Sequence, residues 1–243
     1  MSAVKRPKVP AIRMTFDEFM DWADEDTLAE WVDGTAEMTS PASLRHQEVA
    51  TFLHHVLGRY VALGQLGKLI LAPFVMHLPN VPPGREPDVI FVATDHLDRL
   101  QPPARPTRLE GPADLVVEVV SPESTKRGRE KKFGEYAQGG VPEYWIVDLV
   151  ANEVRFFQLD AQGTYQSVAS DAEGIYRSRA VPGFWLRVEW LWRDPLPDVD
   201  EALREIAAPA AARDLAERAS DAYVRALLDE LRRLGKLPDD HRE

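Results

Sequence analysis

The stretch "DLVVEVVSP" at residues 114–122 constrains the fold more than any other part of the chain. It reads as a short buried strand, yet Glu118 sits in the middle of it. Burying a carboxylate costs several kcal/mol unless a partner compensates the charge. Side chains alternate along a strand, so Glu118 shares a face with Val116 and Val120. Whatever the fold is, it has to bring a counter-charge to that face.

A second unbroken apolar run, "DVIFVA", reads as another buried strand with Asp88 at its start. "EYWIVDL" is a third strand, and the link "VAN" turns it into "EVRFFQL"; "TYQSVA", "GIYRS" and "FWLRVEWLW" supply further strand-like pieces. "KLILAPFVMHL" is predicted as one strand, with Pro73 marking an edge position or a bulge. Thr15 and Glu18 form a capping box that opens a short helix, and "AEWVDGTAEM" has the pattern of a hairpin turning at Asp33-Gly34. A longer helix over 43–63 gathers Val49, Leu53, Val56, Leu57 and Tyr60 on one face. "PESTKRGREKKFGEYAQGG" is a helix that starts at its Pro and Ser/Thr residues and stops at Gly139-Gly140. Pro-rich segments at 79–87 and 101–112 are predicted loops. This order of elements predicts an α/β (α+β) fold, a central mixed sheet flanked by helices.

The 243 residues suit one domain with an appendage, or two small domains. Residues 1–13 are expected to form a flexible basic arm, 14–193 the folded domain, and 194–243 a helical extension rich in Ala, Leu, Arg and Glu. In that extension Leu215, Ala219, Ala222, Leu227, Leu231 and Leu234 lie near one stripe, which suits docking or self-association and favours a homodimer. Trp145, Trp185, Trp190 and Trp192 are expected in the core or an interface. There is no cysteine, which excludes disulfides and thiolate metal sites. The N-terminus has no apolar signal segment and no run approaches a membrane span, so the expectation is a soluble, cytoplasmic protein.

A net charge of −11 has the wrong sign for gripping nucleic acid over the whole surface. The last 50 residues carry 13 acidic and 8 basic side chains, close to half of the deficit. "KRGREKK" at 126–132 runs the other way, with five cations and one anion.

That helix also offers the partner that Glu118 needs. Arg129, Lys132 and Tyr136 share one of its faces by three- and four-residue spacing. If the strands of Asp88 and Glu118 pair, two carboxylates and an ammonium converge at the end of the sheet. Two carboxylates suit a hard cation, Mg²⁺ with Mn²⁺ as an alternative, which lowers the pKa of bound water. A neighbouring lysine can orient the nucleophile or stabilise developing charge. The bland alternatives are a turn residue for Asp88, an ion-pair member for Glu118, and a solvated face for Lys132 with Lys131 or Arg129 pointing inward. Glu30 could simply flank its hairpin, and His46 could cap or pack at the start of its helix.

"PD" at 87–88, "DLVVEVVSPES" and "EKKFGEYAQGGVPEYWIVD" follow one another along the chain, with "AEWVDGTAEMTSPASLRHQEV" upstream and "VPGFWL" downstream. Together they resemble the Uma-type family of restriction-endonuclease-like proteins, within the PD-(D/E)xK nuclease superfamily. The resemblance implies a restriction-endonuclease-like core, with Asp88 and Glu118 as metal ligands. The superfamily's usual lysine would fall at Val120, so Lys132 on the next helix is implied in its place. Glu30 is implied as a further acidic contributor, and His46 matches the family's "HQ" pair as a substrate contact. One position departs from the pattern: an acidic residue often precedes the helix lysine by four, and here that residue is Gly128. The implied function is a Mg²⁺-dependent endonuclease acting on DNA, with Lys126, Arg127, Arg129 and Lys131 meeting the phosphate backbone. The alternative is a catalytically inactive module of the same fold, kept for binding or assembly.

Overall fold

The computed structural model describes residues 12–23, 29–32, 34–38, 42–78, 81, 84–120, 126–206, 228–229 and 231–233. The chain opens with β1 (Ile12–Arg13), α1 (Phe16–Trp22), β2 (Ala29–Val32), β3 (Thr35–Met38) and α2 (Leu44–Leu63). It continues through β4 (Gly67–Leu71), β5 (Val75–His77), β6 (Gly84–Arg85), β7 (Val89–Ala93), β8 (Leu100–Gln101), β9 (Arg108–Glu110) and β10 (Leu115–Val120). Then follow α3 (Lys126–Gln138), β11 (Glu143–Asp148), β12 (Glu153–Leu159), β13 (Tyr165–Val168), β14 (Ile175–Arg177), β15 (Trp185–Arg187) and α4 (Val199–Ile206).

The apolar runs form the inside of a six-stranded mixed sheet, ordered β13-β12-β11-β10-β7-β4. β10 and β11 run parallel and the other neighbours antiparallel. On one face Val89, Phe91, Leu115, Val117 and Val119 meet Val49, Leu53, Val56, Leu57 and Tyr60 of α2. On the other, Ile90, Val92, Val116 and Val120 meet Tyr136 of α3 together with Met76 and Leu78. A sheet covered on both faces has no solvent side, so its inner strands show no polar alternation.

A second sheet, ordered β1-β3-β2-β6-β5-β9-β8, holds the N-terminal elements, and β14 pairs with β15 in a third. The Thr15–Glu18 capping box is present, and β2 and β3 form the expected hairpin, with Gly34 at φ 77° in its turn. Asp33 lies outside the described residues.

Three expectations are corrected. "KLILAPFVMHL" is two strands in different sheets: the pairing with β7 closes with the Ala72 N–H donating to the Asp88 carbonyl at 3.0 Å, and Pro73, next in the chain, has no N–H to donate. The Pro-rich segments contain β6 and β9, whose pairing with β5 is invisible to local propensity. "FWLRVEWLW" is strand only over β15 and then a 3-10 turn over Val188–Trp192. That turn sends the adjacent Trp190 and Leu191 into the same core cluster, whereas a strand would point them to opposite faces.

Trp145 and Trp190 are core residues, as expected of them. α4 adds Ala202 and Ile206 to the core of α2, just beyond the boundary expected at residue 194. Of the stripe in the extension only Leu231 is described; Leu215, Ala219, Ala222, Leu227 and Leu234, and the arm over residues 1–11, lie outside the described residues. No helix among the described residues is long and apolar enough to cross a membrane.

One backbone approach gives a direct test of this packing. Gly67 has φ 150°, and a Cβ there would stand 2.1 Å from the Val92 carbonyl oxygen. Gly67→Ala is expected to destabilise the protein by about 2–4 kcal/mol, from strain and overpacking together, read from the shift of a urea unfolding curve.

Candidate active site

Antiparallel pairing of β7 and β10 sets Ile90 opposite Val116 and Val89 opposite Val117. One step further in the same register, Asp88 stands opposite Glu118. Directly opposed residues of an antiparallel pair share a face. Both carboxylates therefore belong to the face that α3 covers.

α3 supplies the counter-charge. The Lys132 ammonium donates to both oxygens of Glu118, at 3.0 Å to Oε1 and 3.1 Å to Oε2. The Tyr136 hydroxyl, one turn along the helix, donates to Oε1 at 2.6 Å. Lys132 is 20% exposed and Glu118 13%, so the pair is shielded but reachable. This is the interaction that makes a charge tolerable within the β10 run.

Asp88 is held from two other directions. The Val119 N–H donates to its Oδ2 at 2.7 Å, and His46 Nε2 lies 3.3 Å from Oδ1. His46 comes from the first turn of α2, whose N-cap Ser43 accepts the His46 N–H at 3.2 Å. Burial works against the charged imidazole. The hydrogen bond and charge of Asp88, a Val119 backbone group and the charge of Glu118 outweigh it, so the His46 pKa rises above 6.5. His46 Nδ1 is buried and has no hydrogen-bond partner among the described residues. His46, expected as a substrate contact, thus has the partly buried Asp88 carboxylate as its partner.

The remaining sequence candidates are only partly described. The Glu30 backbone stands in β2 opposite Glu37; its side chain lies outside the described residues, as do those of Lys126, Arg127 and Arg129 in the first turn of α3. Lys131 is half-exposed, with Nζ 3.7 Å from Glu135 Oε1.

Sequence reasoning missed three features. Spacing places Tyr136 on the inward helix face but assigns it no role, since an apolar neighbourhood and a hydroxyl partner look alike in spacing. Arg85 and Glu135 form a buried ion pair, with Nε and Nη2 of Arg85 each 2.8 Å from Glu135 Oε2. Glu143, buried, accepts from Trp145 Nε1, the Tyr176 hydroxyl and the N–H groups of Arg179 and Ala180 at 2.7–3.0 Å. Those four donors make Glu143 a structural joint between β11 and the segment linking β14 to β15.

Among the described residues no group of three or more His, Cys, Asp and Glu side chains is placed to hold a metal ion. Mg²⁺ commonly takes one or two carboxylates and keeps several waters. Asp88 and Glu118 supply two carboxylates from two directly paired strands. The donor set therefore fits a hydrated divalent cation, with Lys132 as the group that would have to share Glu118.

The family described as "Uma2: Putative restriction endonuclease" matches residues 16–189. A solved structure from Anabaena variabilis, described as "a putative nuclease belonging to DUF820", is similar with a TM-score of 0.62 and 14% identity. The similarity covers 74% of this chain and 97% of that one. No curated protein matches the chain.

Two measurements probe the site's electrostatics. Lys132→Met leaves Glu118 short of its cation and is expected to cost about 3 kcal/mol; adding Glu118→Gln in the same chain is expected to restore part of that in urea unfolding. The raised His46 pKa means that its contribution to stability is complete below pH 6.5 and is lost as pH rises through the higher folded-state value. His46→Gln is expected to remove that part of the stability–pH profile.

Proposed function

The chain belongs to the Uma2 family, and from that premise we propose that it is a Mg²⁺-dependent endonuclease hydrolysing phosphodiester bonds, in DNA above all. The observation that carries this reading is the meeting of Asp88, Glu118 and Lys132 on one face where the sheet ends. Such a set has the parts for phosphodiester hydrolysis: anionic oxygens for a hard cation and a fixed positive charge beside them.

Each side chain then has a distinct task. Asp88 and Glu118 would hold the metal, which when bound lowers the pKa of a water and shields phosphoryl charge. The Val119 N–H fixes one Asp88 oxygen and His46 faces the other, so this carboxylate is aimed before any substrate arrives. Tyr136 fixes Glu118 in the same way. As an ammonium, Lys132 cannot take a proton from water; it would orient the attacking water and stabilise the charge that develops on the phosphoryl oxygens. Lys131 and its neighbours Lys126, Arg127 and Arg129 would meet the phosphate backbone. With a net charge of −11, the rest of the surface repels DNA, so binding would depend on this local patch and weaken steeply with salt.

One observation favours a second reading. Glu118 already has a cation in Lys132, so its burial does not require a metal. A catalytically inactive module of the same fold would keep the network as a structural ion-pair cluster.

Supercoiled plasmid incubated with Mg²⁺ or Mn²⁺ separates the two. The nuclease is expected to nick it, to lose nicking in Asp88→Ala and Glu118→Ala, and to slow by about 100-fold in Lys132→Ala. No nicking by the wild type together with no calorimetric uptake of either metal would leave the module.

A further inference from the structure

α3 makes a second inward charge contact, to a different part of the chain. Glu135 lies three residues after Lys132 and one before Tyr136, and its carboxylate receives Nε and Nη2 of Arg85 at 2.8 Å. Both partners are buried, Arg85 at 5% and Glu135 at 8% exposure. Arg85 belongs to β6, which pairs with β5 through Met76 and with β2 through Gly84, and it precedes Asp88 by three residues. Lys131 adds a cation 3.7 Å from the other oxygen of Glu135. The helix is thus tied at one turn to two places: to Glu118 through Lys132 and Tyr136, and to the approach to Asp88 through Glu135.

A buried ion pair is a poor source of stability, because desolvation cancels most of the attraction, and an apolar pair of similar volume often serves as well. What it fixes is relative position. We infer that Arg85 is a positioning residue: paired with Glu135, it sets the helix that carries Lys132 against the segment that carries Asp88. The closing contact at the end of the helix has the same sense, since a Cβ at Gly139 would stand 2.4 Å from Leu78 Cδ1, in the chain segment that leads from β5 to β6. The inference rests on the nuclease reading for its catalytic consequence, and on geometry alone for the placement of Lys132.

The test is the double variant Arg85→Met/Glu135→Leu, which exchanges the ion pair for an apolar one. It is expected to unfold near the wild-type denaturant midpoint while kcat for Mg²⁺-dependent plasmid nicking falls about 100-fold, with KM for DNA unchanged. In the same samples, site-resolved reductive methylation of Lys132 is expected to quicken about tenfold as its ion pair with Glu118 loosens. Arg85→Lys, which keeps the charge and loses the two-nitrogen contact, provides the same two readouts should the double variant fail to fold. A wild-type kcat in either folded variant overturns the inference. If the wild-type protein nicks no DNA, the nuclease reading falls by itself and the methylation rate decides: faster labelling supports positioning, and a wild-type rate overturns it.

Discussion

The contact between Glu118 and the Lys132 ammonium is the interaction around which the rest is arranged. A charge within β10 is tolerable only if a cation reaches the same face of the sheet, and connectivity brings one there. β10 and β11 are parallel, so the chain between them must cross over the sheet, and α3 is that crossover. Its inward face then presents Lys132, Glu135 and Tyr136 in succession, and each has a polar partner beneath. Polar groups that face a buried sheet in this way must all be satisfied together or the helix cannot dock.

Asp88 adds a second constraint, of position rather than charge. It lies between β6, which belongs to the N-terminal sheet, and β7, which belongs to the central one. The carboxylate pair therefore stands where the chain passes from one sheet to the other. α2 from one side, through His46, and α3 from the other, through Lys132, both reach this junction. Elements far apart in sequence contribute to one small polar cluster in an otherwise apolar interior. Membership of the Uma2 family is the ground on which a nuclease role is proposed for that cluster.

Much of this is legible in the sequence. Hydrophobic runs marked the buried strands, capping residues marked α1, and helical spacing put Lys132 and Tyr136 on one face. Glu118 announced itself by contrast with its neighbours. Less legible were β6 and β9, short strands in Pro-rich segments whose hydrogen bonds come from residues far away in sequence. The same blindness hides Arg85, an ordinary cation two residues ahead of Pro87 until its pairing with Glu135 is seen.

The sequence by itself determined the local elements, the order in which they occur, and the need for a cation on the Glu118 face, because periodicity, capping and the cost of a buried charge all act over a few residues. Only the tertiary structure decided which cation answers that need, that His46 faces Asp88, and that Arg85 meets Glu135. Those pairings depend on strand register and on how a helix lies across a sheet. Both are set by the packing of whole faces, which no short stretch of chain encodes.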